Sequence, residues 1–359
     1  MTAITVSHRS SVTETGRLAQ IVGAMDIADA STSTFTATVD MRHDERPWQI
    51  GLIIGPSGSG KTSIARQLWP AQITATPEWA TDRAVADSFP ATLPASKVTD
   101  LLGRVGLSSV PTWQRPYHVL SNGEKFRADM ARLLADDGFV VVDEFTSLVD
   151  RTVAKATSNA VGKAIRSQPD RRLVAVTCHY DVTDWLQPDW TVDMASREFT
   201  WRSVQPRPRL HLDVYQGDRT DWRTFGPHHY LSAVLPTPTA RHIFVGDIEG
   251  TPAVFCALRR FPHPKLKNVF VISRLVTSPD FQGFGLGIQL AEWAGRRYAE
   301  HGYRVRITTS HPALTSSLTK SPRWQRLKKT AAHADRLGSK TGSWRQARTQ
   351  TFQYRPPAP

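Results

Sequence analysis

Apolar positions along the chain fall into short runs separated by polar segments that carry glycine or proline. Trp48–Ile54, Phe139–Val142 and Leu173–Thr177 are short and nearly continuous in apolar character, the pattern of strands buried on both faces. Helical spacing follows the first two, at Thr62–Trp69 and Arg151–Ser167, and a loop follows the third. Strands alternating with helices predict a parallel sheet. A second series gives strands at Ile243–Gly246, Ala253–Leu258 and Val269–Val276, a helix at Gly287–His301 and a strand at Val305–Thr309, a mixed α/β pattern. Between the two lies Gln205-Pro206-Arg207-Pro208-Arg209, which cannot continue a helix and reads as a linker. The pattern predicts an α/β protein with a first domain over 1–204, a linker over 205–214, a second domain over 215–325 and a polar, basic extension over 326–359.

Composition narrows the class. At 359 residues there is room for two domains, and 40% hydrophobic with 21% charged residues is ordinary for a globular protein. No apolar run approaches the ~18 residues of a membrane span, and the first twenty residues hold no apolar signal core. Cys178 and Cys256 give neither a disulfide framework nor zinc spacing, so a cytoplasmic protein is expected. The net charge of +13 is concentrated near the end, where Lys320 to Arg355 carries ten Lys or Arg against one acid, Asp335. Such a tail attracts phosphate backbones, and Trp324, Trp344, Phe352 and Tyr354 could stack bases, so nucleic acid is one expected partner. A solvated surface is the other reading.

The first chemical constellation is a phosphate cradle. Gly55-Pro56-Ser57-Gly58-Ser59-Gly60-Lys61-Thr62-Ser63 contains G-x-x-x-x-G-K-[ST] between a strand and a helix. Its glycines allow backbone N–H groups to converge on a β-phosphate, Lys61 reaches the β- and γ-phosphates, and Thr62 offers its hydroxyl to Mg²⁺. The run Phe139–Val142 ends in Asp143 and Glu144. At the C-terminal edge of a parallel strand, Asp143 can hold Mg²⁺ and Glu144 can polarise an attacking water.

Beyond this pair the chain resembles the ABC ATPase family. Leu120-Ser121-Asn122-Gly123-Glu124 is similar to its LSGGE signature with Asn for the first Gly, Ser147-Leu148-Val149-Asp150 is similar to its D-loop, and Thr177-Cys178-His179 stands where the family places its switch histidine. The resemblance implies ATP and Mg²⁺ as ligands, Glu144 and His179 as catalytic residues, and a homodimer in which Ser121, Asn122, Gly123, Glu124 and Asp150 of one copy face ATP bound to the other. Val85–Phe89 occupies the place of the family's Q-loop but carries Asp87 rather than glutamine. The helical subdomain is short, with 60 residues from Lys61 to Ser121. Phe35 is a candidate adenine-stacking residue and equally a core residue.

The second constellation is Gln282-Gly283-Phe284-Gly285-Leu286-Gly287, again at a strand-to-helix turn but without a Lys-Ser/Thr pair. An anion there would be held by backbone alone. The segment resembles motif A of the GNAT acyltransferases, Q/R-x-x-G-x-G/A, with Val276 and Pro279 in the usual approach. The resemblance spans about 210–325 and implies acetyl-CoA, or another acyl-CoA, held by Leu275, Val276 and Gln282 to Gly287. The Tyr that many such enzymes use is missing from His311–Leu318. His311, Ser316, the cluster His228-His229-Tyr230 and Glu292 are the candidates for proton transfer.

The expected protein is an ABC-type ATPase coupled to a GNAT-type N-acyltransferase. The alternatives are a nucleic-acid base-modifying enzyme with an ATPase motor, and a non-catalytic ATPase clamp that senses acyl-CoA.

Overall fold

A computed structural model of the chain describes residues 2–11, 13, 15–25, 32–73, 76–135, 138–202, 211–229, 235, 242–261, 266, 268–327 and 349–357. In chain order the elements are β1 (Thr2–Ser11), α1 (Gly16–Met25), β2 (Thr32–Met41), β3 (Ile50–Ile54), α2 (Lys61–Leu68), α3 (Ala95–Arg104), α4 (Val110–Trp113), α5 (Asn122–Leu133), β4 (Phe139–Val142), α6 (Arg151–Arg166), β5 (Arg172–Thr177), α7 (Val182–Leu186), β6 (Trp190–Asp193) and β7 (Glu198–Trp201). They continue as β8 (Asp213–Gln216), α8 (Trp222–Phe225), β9 (Ile243–Ile248), β10 (Thr251–Arg260), β11 (Val269–Thr277), α9 (Leu286–Ala299), β12 (Arg304–Thr309), α10 (Pro312–Lys320), β13 (Trp324–Arg326) and β14 (Gln350–Tyr354). No helix among the described residues is long and apolar enough to cross a membrane.

The chain forms two compact units. One comprises Met1–Ala75, Asp137–Ser147 and Ile165–Pro206, the other Thr76–Asp136, Leu148–Ala164 and Arg207–Pro359. The division is therefore not the contiguous one that a linker at 205–214 suggests. Residues 205–210 of that linker lie outside the described residues.

In the first unit, β3 is the middle strand of a five-stranded sheet ordered β4-β5-β3-β6-β7. β4, β5, β3 and β6 are parallel and β7 is antiparallel at the edge. All five residues of β3 are buried, which is why its sequence is uniformly apolar rather than alternating. A separate antiparallel pair, β1 with β2, joins Thr2 opposite Met41 to Ser11 opposite Thr32. Its apolar residues Ile4, Val6, Ala37, Val39 and Met41 belong to the same buried cluster as Ile53, Ile64 and Val176. This hairpin is absent from the sequence expectation, because its Thr- and Ser-rich alternation holds few strongly apolar residues.

One close approach orders the interior. Trp190 of β6 lies flat against β3, stacked on Trp69 and Phe199 and edge-on to Trp48. A Cβ on Gly51, its register partner, would sit 2.1 Å from the Trp190 ring. Only a residue without a side chain fits.

The second unit holds a seven-stranded sheet ordered β13-β14-β12-β11-β10-β9-β8, antiparallel except for the central pair β11 and β12. That pair is joined through α9, whose Leu290, Ala291, Ala294 and Tyr298 are buried in the core with Phe270, Ile272, Val305 and Ile307. α3 packs on α10, with Gly103 against Ala313. This is how the segment Thr76–Asp136 comes to share a unit with the second sheet.

The structure corrects the expectation for the end of the chain. Gln350–Tyr354 is a strand paired with both β12 and β13, so the sheet continues past 325. Trp324, Phe352 and Tyr354, expected as exposed stacking aromatics, are buried in the sheet's core. Trp344 and most of the basic tail, residues 328–348, lie outside the described residues.

Gly51→Ala should cost about 1–3 kcal/mol through overpacking against Trp190. Chemical denaturation of the two proteins checks this. An unchanged midpoint would show that Trp190 can move aside.

Candidate functional site

Two loops open helices in the same way. The residue before α2 is Gly60, with φ 86°, and the residue before α9 is Gly285, with φ 80°. Both are left-handed positions that favour glycine, and neither has a side chain capping the helix. The first-turn N–H groups of both helices are left for another acceptor, which suits an anion.

In the first unit, Lys61 is 9% exposed and folds back over its loop, donating to the carbonyls of Gly55 (2.9 Å) and Pro56 (2.7 Å). Ser59 closes the loop by donating its N–H to the Pro56 carbonyl at 3.3 Å. Thr62 Oγ1 donates to Asp143 Oδ1 at 3.1 Å, so the two residues assigned to Mg²⁺ from sequence meet. A hydroxyl and a carboxylate are hard oxygen donors and fit that ion. Among the described residues no group of three or more His, Cys, Asp or Glu could hold a metal alone, so bound phosphate oxygens would have to complete this set. Glu144 follows at φ 51°, and its carboxylate accepts from Ser147 Oγ. His179 N donates to Thr177 Oγ1 at 3.2 Å at the end of β5, leaving its ring half-buried. Ser63 is held by His8 of β1 at 2.6 Å, a partner the sequence did not suggest. Phe35 lies against Gly60 and belongs to the edge of the core.

The signature-like residues lie in the second unit. Ser121 caps α5: its hydroxyl accepts from Glu124 N, and Glu124 accepts in return from Ser121 N at 3.0 Å. Thr112 Oγ1 donates to Glu124 at 2.8 Å. Burial works to raise the Glu124 carboxyl, but these hydrogen bonds and the Arg127 charge hold it below the ordinary carboxylate range. Ser121 and Asn122 are exposed, and Gly123 packs where a Cβ would meet Val153. Asp150 caps α6, accepting from the N–H groups of Thr152 and Val153. Asp87 is exposed in a 3₁₀ turn, Val85–Ser88. Arg127 is fully buried, which pushes its guanidinium down to about 10 against the pull of Asp280, Glu124 and Asp150.

The second loop borders a cleft of about 310 Å³ within the same unit. The β11–β12 ladder runs only from Val269 opposite Arg304 to Ile272 opposite Ile307, although β11 continues to Thr277. The strands part, and Ser273–Thr277, Ile307–Thr309 and the loop Gln282–Gly287 line the opening. Leu275, Val276, Gln282, Gly283, Gly285, Leu286 and Gly287 all border it. Phe284 does not, and packs on the core instead. Gln282 is buried, its Oε1 accepting from Ser108 N (2.6 Å) and its Nε2 donating to Thr277 O (3.1 Å). Its side chain braces the loop and leaves ligand contact to the backbone. A Cβ on Gly283 would strike Ala160, and one on Gly106 would strike the Gln282 carbonyl.

The proton-transfer candidates separate. His311 lines the cleft, but both ring nitrogens are engaged, one accepting from Leu314 N and the other donating to Ser108 O at 2.9 Å. Desolvation lowers it and keeps it neutral. Glu292 accepts from Ser321 at 2.6 Å and Ser316 is exposed, and neither borders the cleft. His228 and His229 do. Burial lowers His228, Glu124 and Asp280 oppose that shift, and Arg115 adds to it. Tyr230 lies outside the described residues. Sequence reasoning missed Arg104, Ser108, Ala160 and Lys163, which line the cleft from segments over a hundred residues upstream.

A family model described as the Acetyltransferase (GNAT) family matches residues 181–316, beginning upstream of β8 among the strands of the first sheet. A comparison with curated proteins finds no match. Solved structures similar to the chain include a dimeric bacterial ABC transporter cassette (12% identity, TM-score 0.35, covering 44% of this chain and 84% of that one). Others are an ABC transporter cassette in its ADP conformation (16%, 0.33, 46% and 80%) and a cassette of the cbiONQ transporter complex from Clostridium perfringens (15%, 0.35, 46% and 80%). The chain joins an ABC ATPase-like α/β region to a GNAT-like mixed α/β domain. The first assignment stands on the order of its motifs and its P-loop sheet, the second on its sheet and the family match.

Stability should fall with acidity through His43, His228 and His311, all lowered chiefly by burial. Their stabilising contribution is complete above the unfolded value of 6.5 and is lost as pH falls through the lower folded values. Denaturation midpoints from pH 7.5 to 5 check this, and His311→Asn should flatten the slope. A midpoint that rises on acidification would contradict it.

Proposed function

We propose that the chain is an ATP-hydrolysing ABC-type ATPase coupled to an acyl-CoA-dependent N-acyltransferase. The observation that carries the transferase reading is the opening between β11 and β12, bordered by the glycine-led N-terminus of α9. Exposed strand edges and helix N–H groups there suit the amide-rich arm and pyrophosphate of an acyl-CoA. Gly283, Gly285, Leu286 and Gly287 supply backbone to the pyrophosphate, and Leu275 and Val276 flank the arm. An acceptor amine would attack the thioester carbonyl, breaking the carbon–sulfur bond and releasing the CoA thiolate, which takes up a proton from water. His228, neutral and at the cleft, receives the amine's proton.

In the ATPase, Gly55 to Ser63 cradle the phosphates. Thr62 and Asp143 hold Mg²⁺, which would neutralise phosphate charge when bound, and Glu144 orients the attacking water with His179 beside the γ-phosphate. Two copies would enclose ATP, with Ser121, Asn122, Gly123, Glu124 and Asp150 facing the partner's nucleotide. Leu148, 82% exposed, and Val119, 54% exposed, flank these motifs in sequence and would be covered by such pairing. Because the signature segment shares a unit with the cleft, ATP-driven pairing is a means of presenting a substrate to the transferase. Trp324, Phe352 and Tyr354, three of the four aromatics on which the nucleic-acid reading drew, are buried, which favours the acyl-CoA reading over it.

Glu144→Gln should lower ATP turnover by about 10²–10⁴-fold while retaining ATP, the loss expected of a proton acceptor. Parent-rate hydrolysis would remove Glu144 from that role. In calorimetry the full chain should bind acetyl-CoA and Gly285→Trp should not, since a side chain at this left-handed position blocks the helix N-terminus. Binding unaffected by the tryptophan would place the ligand elsewhere. Thiol release in the presence of amine acceptors identifies the transferase, and binding without any release identifies the sensing clamp.

A further inference from the structure

The cleft has a one-sided charge. Its described lining residues include three cations, Arg104, Lys163 and Arg274, and no Asp or Glu. Cations gathered around an opening of about 310 Å³ repel one another, and an anion within it relieves that repulsion. Arg274 is directed to its own sheet, donating to Ser273 O at 2.8 Å and lying 5.9 Å from the Trp222 ring centroid. The other two come from upstream. Arg104 ends α3, oriented by Asp100 one turn earlier at 2.7 Å, and Lys163 is exposed on α6.

Both residues are held near the loop by tight packing. α3 meets α10 at Gly103 and Ala313, the turn after α3 touches the Gln282 carbonyl at Gly106, and α6 touches Gly283 at Ala156 and Ala160. Ser108 donates to Gln282 and accepts from His311. These close approaches place both segments directly against the loop.

We propose that Arg104 and Lys163, from the nucleotide-binding half of the sequence and outside the span that matches the acetyltransferase family, hold phosphate groups of the acyl-CoA. The donor site is then a joint product of the ATPase and transferase sequences. This rests on the acyl-CoA reading above. Arg104 supplies a planar fork for contact with phosphate oxygens, and Lys163 supplies a compact point charge at the rim.

The test is calorimetry of the full-length protein, comparing the parent with Arg104→Gln, Lys163→Gln and the double variant. The probes are coenzyme A, dephospho-coenzyme A and pantetheine. Both positions are partly or fully exposed, and unfolding midpoints confirm that the variants fold. Each lost charge-assisted contact should weaken coenzyme A by about tenfold, with the larger loss at low salt and no change for pantetheine. A loss shared by dephospho-coenzyme A assigns the contact to the pyrophosphate, and a loss confined to coenzyme A assigns it to the 3′-phosphate. Both outcomes support the proposal. Parent binding with unchanged affinity in the folded double variant overturns it and leaves the acyl-CoA reading standing. No binding of coenzyme A by the parent overturns both.

Discussion

Everything in the second unit depends on how Gln282 spends its side-chain amide. One end accepts from the backbone of Ser108 and the other donates to the backbone of Thr277, so a single buried side chain ties the turn after α3 to the end of β11. Buried amides are costly unless both ends are satisfied. Here satisfaction requires that residues 108 and 277, far apart in the sequence, stay in one place. The glycine contacts at 106 and 283 leave no slack around that junction. A motif readable as a cofactor loop is thus also the structural joint of its unit.

The two glycine-led helix starts show how one physical device serves different chemistry. Both expose helix N–H groups through a left-handed glycine. Near α2 the surroundings add a buried lysine and a hydroxyl–carboxylate pair, the equipment for a phosphate chain with its metal. Near α9 they add a parted strand pair and basic side chains, the equipment for an anion attached to a longer extended body. The difference lies in the Lys61-Thr62 pair that the first loop itself carries, and in what the neighbouring elements deliver: Asp143 after β4 at one site, the parted strands and helices α3 and α6 at the other.

Much of this was legible in the sequence because it is local. A buried parallel strand must be continuously apolar, so β3, β4 and β5 stood out, and the glycine loops stood out because few residues tolerate their backbone. The β1–β2 hairpin was not legible, since threonine serves equally in strands and loops and the apolar face has only five residues. β14 was missed for a different reason: Phe352 and Tyr354 sit in a run of Gln, Thr and Arg, and only the pairing with β12 shows that they face a core. The cleft wall from α3 and α6 had no sequence signal at all. Arg104 and Lys163 are ordinary helix residues until tertiary packing sets them beside a loop more than a hundred positions away.

Arg127 shows why the signature segment and the cleft cannot be treated as separate machines. A fully buried guanidinium is tolerated only with compensating acids, and those that pull on it come from three places: Glu124 on its own helix, Asp150 at the start of α6 and Asp280 before the second loop. Its Nε and Nη1 have no hydrogen-bond partner among the described residues, so the three acids act on it as nearby charges rather than as paired carboxylates. Removing any one of them leaves less compensation for a charge in a poorly solvating interior. The guanidinium therefore ties the signature helix electrostatically to the start of α6 and to the segment before the second loop, the same segment that carries Gln282 to the wall of the cleft.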